Sequence, residues 1–246
     1  MSLLSARIES LPSSAFYISE FVSEAEERVL VEKITSAPPS KWTSLTHRRL
    51  QSYPTTLLKG ALLPTSDPLP KWLEEPCVDR MRDLGIWHGT PHASANHCLV
   101  NIYEPGQGIM PHEDGDAYYP MVATVSLNAG IVLEIYDKPD SLDEPVDRAI
   151  KYRIYQEPRS LLVTTDLMYT SYLHGIQEIT ADTDLSPDTI ANWPLLSEST
   201  QALILDHMGA LRDSSAVSLV REKTRISLTF RDVKRVKKLT GLLSKR

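Results

Sequence analysis

Cysteine is scarce in this chain. Only Cys77 and Cys98 occur among 246 residues, and their spacing matches no cysteine-based metal motif. A reducing compartment, cytoplasmic and/or nuclear, is therefore expected. Long apolar runs are also missing, so no segment is expected to cross a bilayer and no membrane attachment is expected. The opening MSLLSARIESLPSS lacks a basic stretch followed by a sustained apolar core, so no secretory signal is expected. There is no excess of positive charge. The formal net charge of −6 excludes a general nucleic-acid glue. Internal repeats are absent as well.

What is present reads as an ordinary globular chain, 41% hydrophobic and 24% charged, long enough for one large domain or two small ones. A monomer is expected. The charge is unevenly spread. Residues 221–246 hold ten Lys and Arg against Glu222 and Asp232, a net of +8, which leaves 16 basic and 30 acidic side chains, a net of −14, on the other 220 residues. The segment 234–246 reads either as a solubilising tail or, through Lys234, Arg235, Lys237 and Lys238, as a set of phosphate contacts.

Residues 1–95 read as an N-terminal part containing helices. Ser23-Glu24-Ala25-Glu26 has the form of a capping box, which predicts a helix with Val29, Leu30 and Ile34 on its apolar stripe, stopped by Pro38-Pro39. KWTSLTHRRLQSYPTT is basic and aromatic without helical period and predicts an ordered loop or short hairpin. Spacing predicts a second helix over 71–84, with Pro76 unfavourable to its first half. From residue 96 the pattern changes to short β-type runs at 96–103, 121–128, 131–136, 160–165 and 217–231, punctuated by Pro-Gly and Asn-Ala-Gly. Many short strands with turn signals predict a sandwich or barrel over 96–233, mainly β with flanking helices (α+β). Segments 137–158 and 181–215, rich in Asp, Ser and Pro, read as surface insertions, the second with a helix near 199–212.

IMPHEDGD places His112 and Asp114 two residues apart, on one side of an extended chain. With one distant His they would make the 2-His-1-carboxylate triad of non-haem Fe(II) oxygenases, which leaves coordination positions open for a chelating cosubstrate and for O2. By itself the pair is weak evidence. Seven His and 32 acidic residues give about 0.9 chance occurrences of His-x-Asp/Glu. The surrounding Gly106, Gly108, Pro111 and Gly115 add turn-like context in which sites occur. The third ligand must come from His47, His88, His92, His97, His174 or His207. We select His174, which follows an apolar β-type run.

About fifty residues further on lies TRISLTFR. As a strand it alternates, with Ile226, Leu228 and Phe230 on one side and Arg225, Ser227, Thr229 and Arg231 on the other. The apolar side can pack under helices. The arginine side can face inward and grip a dicarboxylate such as 2-oxoglutarate. Asn101 and Tyr103 in VNIYEPG form one more i, i+2 pair, readable as strand-edge residues or as hydrogen-bonding groups for the same ligand.

The order Asn101-Ile-Tyr103, His112-Glu-Asp114, His174, Arg225-x5-Arg231 resembles the AlkB-type Fe(II)/2-oxoglutarate dioxygenases over residues 15–235. So do the stretches KWTSLTHRRLQ, LVNIYEPGQGIMPHEDGDAYYP, EPRSLLV and LHGI. The resemblance implies a double-stranded β-helix, or jelly roll. It assigns Fe(II) to His112, Asp114 and His174. Arg225 would take the far carboxylate of 2-oxoglutarate, with Arg231, Asn101 and Tyr103 completing the pocket. Ser227 stands where some members have Asn. It implies a nucleotide-recognition lid at Trp42, Arg48, Arg49, Gln51 and Tyr53. It also implies oxidation of a C–H bond coupled to conversion of 2-oxoglutarate and O2 to succinate and CO2. An oxidised N-methyl group would leave as formaldehyde. Nucleic acid, single-stranded or with a flipped base, is the expected partner. Asp116 reads as a plain turn residue or as a contact to an exocyclic amine. Open alternatives are the same chemistry on a protein or small molecule, a zinc hydrolase, and a non-catalytic reader of modified bases.

Overall fold

In the computed structural model the described residues are 3–12, 14–63, 69–139, 149–210 and 217–237. Two antiparallel sheets dominate. The chain forms β1 (Ala15–Ile18), α1 (Glu24–Thr35), β2 (Thr43–Leu45), β3 (Arg48–Tyr53), α2 (Lys71–Leu73) and α3 (Asp79–Asp83). Next come β4 (His97–Tyr103), β5 (Ile109–His112), β6 (Tyr118–Leu127), β7 (Ile131–Asp137), β8 (Tyr152–Gln156) and β9 (Leu161–Thr165). The remainder is α4 (Asp166–Thr170), β10 (Tyr172–Ile176), β11 (Ala181–Thr183), α5 (Glu198–Ala210), β12 (Ser218–Val220) and β13 (Arg225–Val233). The seven-stranded sheet has the order β1-β9-β6-β13-β4-β3-β2, the four-stranded sheet β5-β10-β7-β8, and β11 and β12 form a separate ribbon. This is the jelly-roll arrangement, mainly β with flanking helices.

The first 95 residues supply strands as well as helices. β1 pairs with β9, and β3 with β4, so both extend the large sheet. The capping box forms: the Glu26 N–H donates to the Ser23 hydroxyl at 3.2 Å, and the Ser23 N–H donates to the Glu26 carboxylate at 2.7 Å. Leu30 and Ile34 are fully buried, but Val29 is 51% exposed. Val29 lies one residue, roughly 100° of helix rotation, off the Leu30/Ile34 stripe. The helical stretch 71–83 also forms, but Glu74–Val78 widens into a π turn around Pro76. A proline inside a helix removes one N–H and crowds the preceding turn, and the widening relieves that conflict.

β13 sits in the middle of the large sheet between β6 and β4, and all nine of its residues are buried. Its Ile226, Leu228 and Phe230 join Leu30, Ile34, Leu73 and Met81 in one apolar cluster. The helices thus cover the outer face of the large sheet, and the opposite face of β13 is left to look between the two sheets.

The two segments read as surface insertions need correction. Tyr152–Gln156 is a strand of the small sheet, paired with β7 from Ile131↔Gln156 to Ile135↔Tyr152. In the second segment the expected helix forms as α5, and Leu185, Ile190, Leu196 and Ile204 are buried in the second apolar cluster. Their polar neighbours hid these apolar anchors. Arg212 and Ser215, at the end of that segment, and Lys238 in the basic tail lie outside the described residues.

Candidate active site

β5 and β10 are antiparallel neighbours, and His112 is paired across the register with His174. Their ring centroids are 4.4 Å apart. Asp114 follows two residues after His112. One ligand atom from each of His112, Asp114 and His174 can be chosen so that all lie within 4.8 Å of one another. His112 Nδ1 lies 2.9 Å from the Met110 carbonyl oxygen. If that nitrogen carries the proton, Nε2 keeps its lone pair for a metal. Burial drives the pKa of His174 down to about 4, so the ring is neutral and able to ligate at physiological pH. Of the other candidates, His47 meets Glu178, His92 meets Asp232, His97 meets Ser52 and His207 meets the Leu203 carbonyl, and neither these nor His88 joins the cluster.

Arg231 reaches from β13 to form an ion pair with Asp114, and both side chains are almost fully buried. Burial pushes the Asp114 carboxyl up, but Arg231 and the two imidazoles more than offset this and hold it below the usual carboxylate range. Arg231 Nε and Nη1 are buried without a hydrogen-bond partner. Such groups are costly when left unpaired, so they mark a place where an anionic group fits.

A cavity of about 240 Å³ runs between the sheets from this triad. Asn101, Tyr103, Ser227, Arg225 and Arg231 all line it, together with Arg48. Arg225 and Arg231 are six residues apart on one strand, roughly 20 Å at Cα. They therefore do not act as a local pair. Arg231 serves the triad end, and Arg225 stands at the other. Burial lowers the Arg225 pKa to about 10, which leaves it charged at neutral pH. Its Nε donates to the Ser126 hydroxyl at 3.0 Å and one Nη to the Gln156 side-chain carbonyl at 2.7 Å.

Of the lid-like residues, only Arg48 lines the cavity. It donates from Nε to the Asn101 side-chain carbonyl at 3.2 Å. Arg49 stacks 4.9 Å over the Trp42 ring. Asp116 is exposed beside the triad loop and does not line the cavity. Gln51 and Tyr53 do not meet the expectation of substrate contact. Gln51 is fully buried and donates to the Ile34 carbonyl at 2.9 Å, while Tyr53 donates to Gln51 at 2.9 Å and packs edge-on against Trp72. Both fasten the hairpin β2–β3 to the helical layer.

Sequence reasoning missed Gln156, Tyr118 and Tyr169. Tyr118 lies under the Arg231 guanidinium, 4.7 Å from ring centroid to charge. The Tyr169 hydroxyl, on α4, donates at 2.8 Å to the carbonyl of Gly115, next to Asp114. The i, i+2 rule applied to Ile154 and Gln156 signals Gln156. Nothing local signals the two tyrosines.

A jelly roll with a His/Asp/His cluster facing inward arginines defines a class, the Fe(II)- and 2-oxoglutarate-dependent oxygenases. The family model described as "2OG-Fe(II) oxygenase superfamily" matches residues 14–231, and the chain belongs to that family. The chain is an Fe(II)/2-oxoglutarate-dependent dioxygenase that uses Fe(II), 2-oxoglutarate and O2. Within the family it is 33% identical over 244 residues to the "Probable RNA/DNA demethylase ALKBH6" of Danio rerio, covering 97% of this chain and 94% of that protein. It is 27% identical over 228 residues to the "tRNA (carboxymethyluridine(34)-5-O)-methyltransferase alkbh8" of Xenopus tropicalis, covering 92% of this chain but 32% of that protein. The solved structure of OsALKBH1 superposes with a TM-score of 0.53 at 14% identity, covering 90% of this chain and 98% of that one, a likeness of fold. No described helix is long and apolar enough to cross a membrane.

Proposed function

We propose that His112, Asp114 and His174 hold the iron, that Arg225 holds the far carboxylate of 2-oxoglutarate, and that the enzyme removes alkyl groups from nucleic-acid bases. When bound, iron with 2-oxoglutarate and O2 supplies oxidation of a C–H bond coupled to decarboxylation to succinate and CO2. The observation that carries the reading is the clustering of the three ligand atoms within 4.8 Å at the end of a cavity that also contains Arg225.

The chain's own residues have distinct tasks in this reading. Ser126 and Gln156 fix the plane of the Arg225 fork, so a carboxylate meets it in one orientation. Arg231 keeps Asp114 ionised and offers Nε and Nη1 to the cosubstrate at the metal end. Asn101, Tyr103 and Ser227 complete the cosubstrate walls, and Leu133, Leu162 and Ile176 keep water out. At the mouth, Arg48 and Asp116 receive a base that has left its stack, while Trp42, with Arg49 stacked on it, packs against the helix-side apolar cluster and takes no part. An oxidised N-methyl group collapses to formaldehyde and the bare nitrogen. The names of the zebrafish and frog relatives support a nucleic-acid substrate.

The test is anaerobic loading with Fe(II) and 2-oxoglutarate, admission of air, and mass analysis of nucleosides from alkylated RNA and DNA. Loss of an alkylated nucleoside matched by formaldehyde and succinate is expected. Consumption of 2-oxoglutarate with every nucleoside unchanged would move the substrate to a protein or small molecule. No consumption on any substrate would overturn the site assignment.

A further inference from the structure

Beside the triad loop lies a second, open groove, walled by Lys59, His92, Lys234, Arg235 and Lys237. It is well built. The Leu62 N–H donates to the Arg235 carbonyl at 2.9 Å, and the Lys237 N–H donates back to the Leu62 carbonyl at 2.9 Å. The turn that presents Lys59 is closed by reciprocal bonds between Leu58 and Ala61, with Gly60 at φ +67.

Three observations give this groove a direction and a sign. First, Lys59, Lys234, Arg235 and Lys237 are exposed, and among the described residues none of them forms an ion pair with a carboxylate. Four like charges gathered in one groove repel one another, and an anion bound there relieves that repulsion. Second, the acid nearest in sequence, Asp232, pairs with His92 and with none of these four cations. It is fully buried and accepts hydrogen bonds from the His92 and Asn96 side chains and from the His92 backbone. Third, the groove adjoins the active site. The Lys234 N–H donates at 3.1 Å to the carbonyl of Ala117, three residues past Asp114. Lys234 also follows Arg231 by three residues, roughly 10 Å of strand.

We infer that this groove is the track for the phosphates of a single-stranded nucleic acid whose target base enters the cavity. The inference rests on the nucleic-acid reading above and adds to it the route of the strand. A row of separate side-chain cations suits a chain of regularly spaced monoanions, and it reads no sequence.

The experiment measures anisotropy of a labelled single-stranded oligonucleotide of about 12 nucleotides against salt from about 50 to about 200 mM. It compares wild type with the K59E/K234E/K237E triple variant. R28E/K33E/K71E, three charge reversals at exposed positions outside the groove, is the control, and melting curves verify folding. Expected for the groove variant are a loss of about tenfold or more in affinity and a salt slope shallower by about 2, with the control variant close to wild type. Unchanged affinity and slope in a folded groove variant overturn the track, as does a wild type that fails to bind at the lowest salt. Binding to phosphatidylserine vesicles but not to the oligonucleotide overturns it too. The two readings separate cleanly. If nucleosides are altered yet charge reversal changes nothing, the track falls and the substrate reading stands. If the strand binds through the groove yet no nucleoside is altered, the track stands and the substrate reading falls.

Discussion

His112 and His174 are register partners across β5 and β10, so strand pairing itself brings the two imidazoles together, with ring centroids 4.4 Å apart and planes tilted by 53°. The two histidines therefore rest on one antiparallel ladder, while Asp114 comes from the loop that follows β5. Replacing either histidine with alanine should abolish succinate formation and weaken Mn(II) binding, followed by electron paramagnetic resonance, while the melting temperature changes little. Retained turnover in H174A would remove that residue from the ligand set.

The Asp114–Arg231 pair makes a stability prediction for the metal-free protein. Asp114→Ala leaves a buried guanidinium without its counter-ion and should cost about 3–5 kcal/mol in urea unfolding. Adding Arg231→Met should recover part of that loss, because the stranded charge is then gone. Additive losses in the double variant would show that the two side chains are not coupled.

Arg225 is oriented by Ser126 and Gln156. Arg225→Met should weaken 2-oxoglutarate binding by about 10- to 100-fold, the equivalent of one lost charge-assisted contact. Gln156→Leu should give a smaller increase in the 2-oxoglutarate KM with kcat nearly unchanged. Calorimetric titration of 2-oxoglutarate into the Mn(II) form measures the first, and steady-state succinate release the second. An unaltered KM in both would place the cosubstrate elsewhere.

Tyr169 ties α4 to the loop carrying Asp114 through the Gly115 carbonyl. Tyr169→Phe should loosen metal binding severalfold and leave the KM for 2-oxoglutarate near the wild-type value. The reverse pattern would exclude a positioning role on the aspartate.

His97 sets a pH dependence. Burial, reinforced by the positive charge of Arg231, lowers its pKa from 6.5 to about 4, against a smaller opposing contribution from the Thr55 carbonyl. The unfolded chain thus binds a proton that the folded chain refuses between about pH 6.5 and 4. The stability that neutral His97 contributes is present above that window and is lost as pH falls through it, at about 1.4 kcal/mol per unit of pKa difference. His97→Gln should flatten this part of the stability–pH curve in urea titrations. An unchanged slope would assign the proton uptake to other groups.

Much of the centre of the molecule was legible because β13 obeys a strict period of two. One reading of TRISLTFR separated the side that meets the helices from the side that meets the cavity. The same rule, carried into β3, separates Arg48 from Arg49, Gln51 and Tyr53, and so predicts that these lid-like residues do not share one face. The resemblance had grouped them because they fall in one matching stretch of sequence. Gln156 stayed hidden because its strand lies in an acidic, proline-bearing stretch whose buried anchors are few. The register that joins His112 to His174 was illegible, since residues 62 apart in the chain carry no local sign of which strands will pair.

β13 has no solvent side: one flank belongs to the folding core and the other to the chemistry. A change on either flank is transmitted to the other through the same backbone, so this strand has little freedom to vary. The hairpin β2–β3 lies at the border of the large sheet, where β2 has one unpaired flank among the described residues. Diversification toward new substrates can proceed along that border while β5, which carries His112, and the middle of the sandwich keep the reaction.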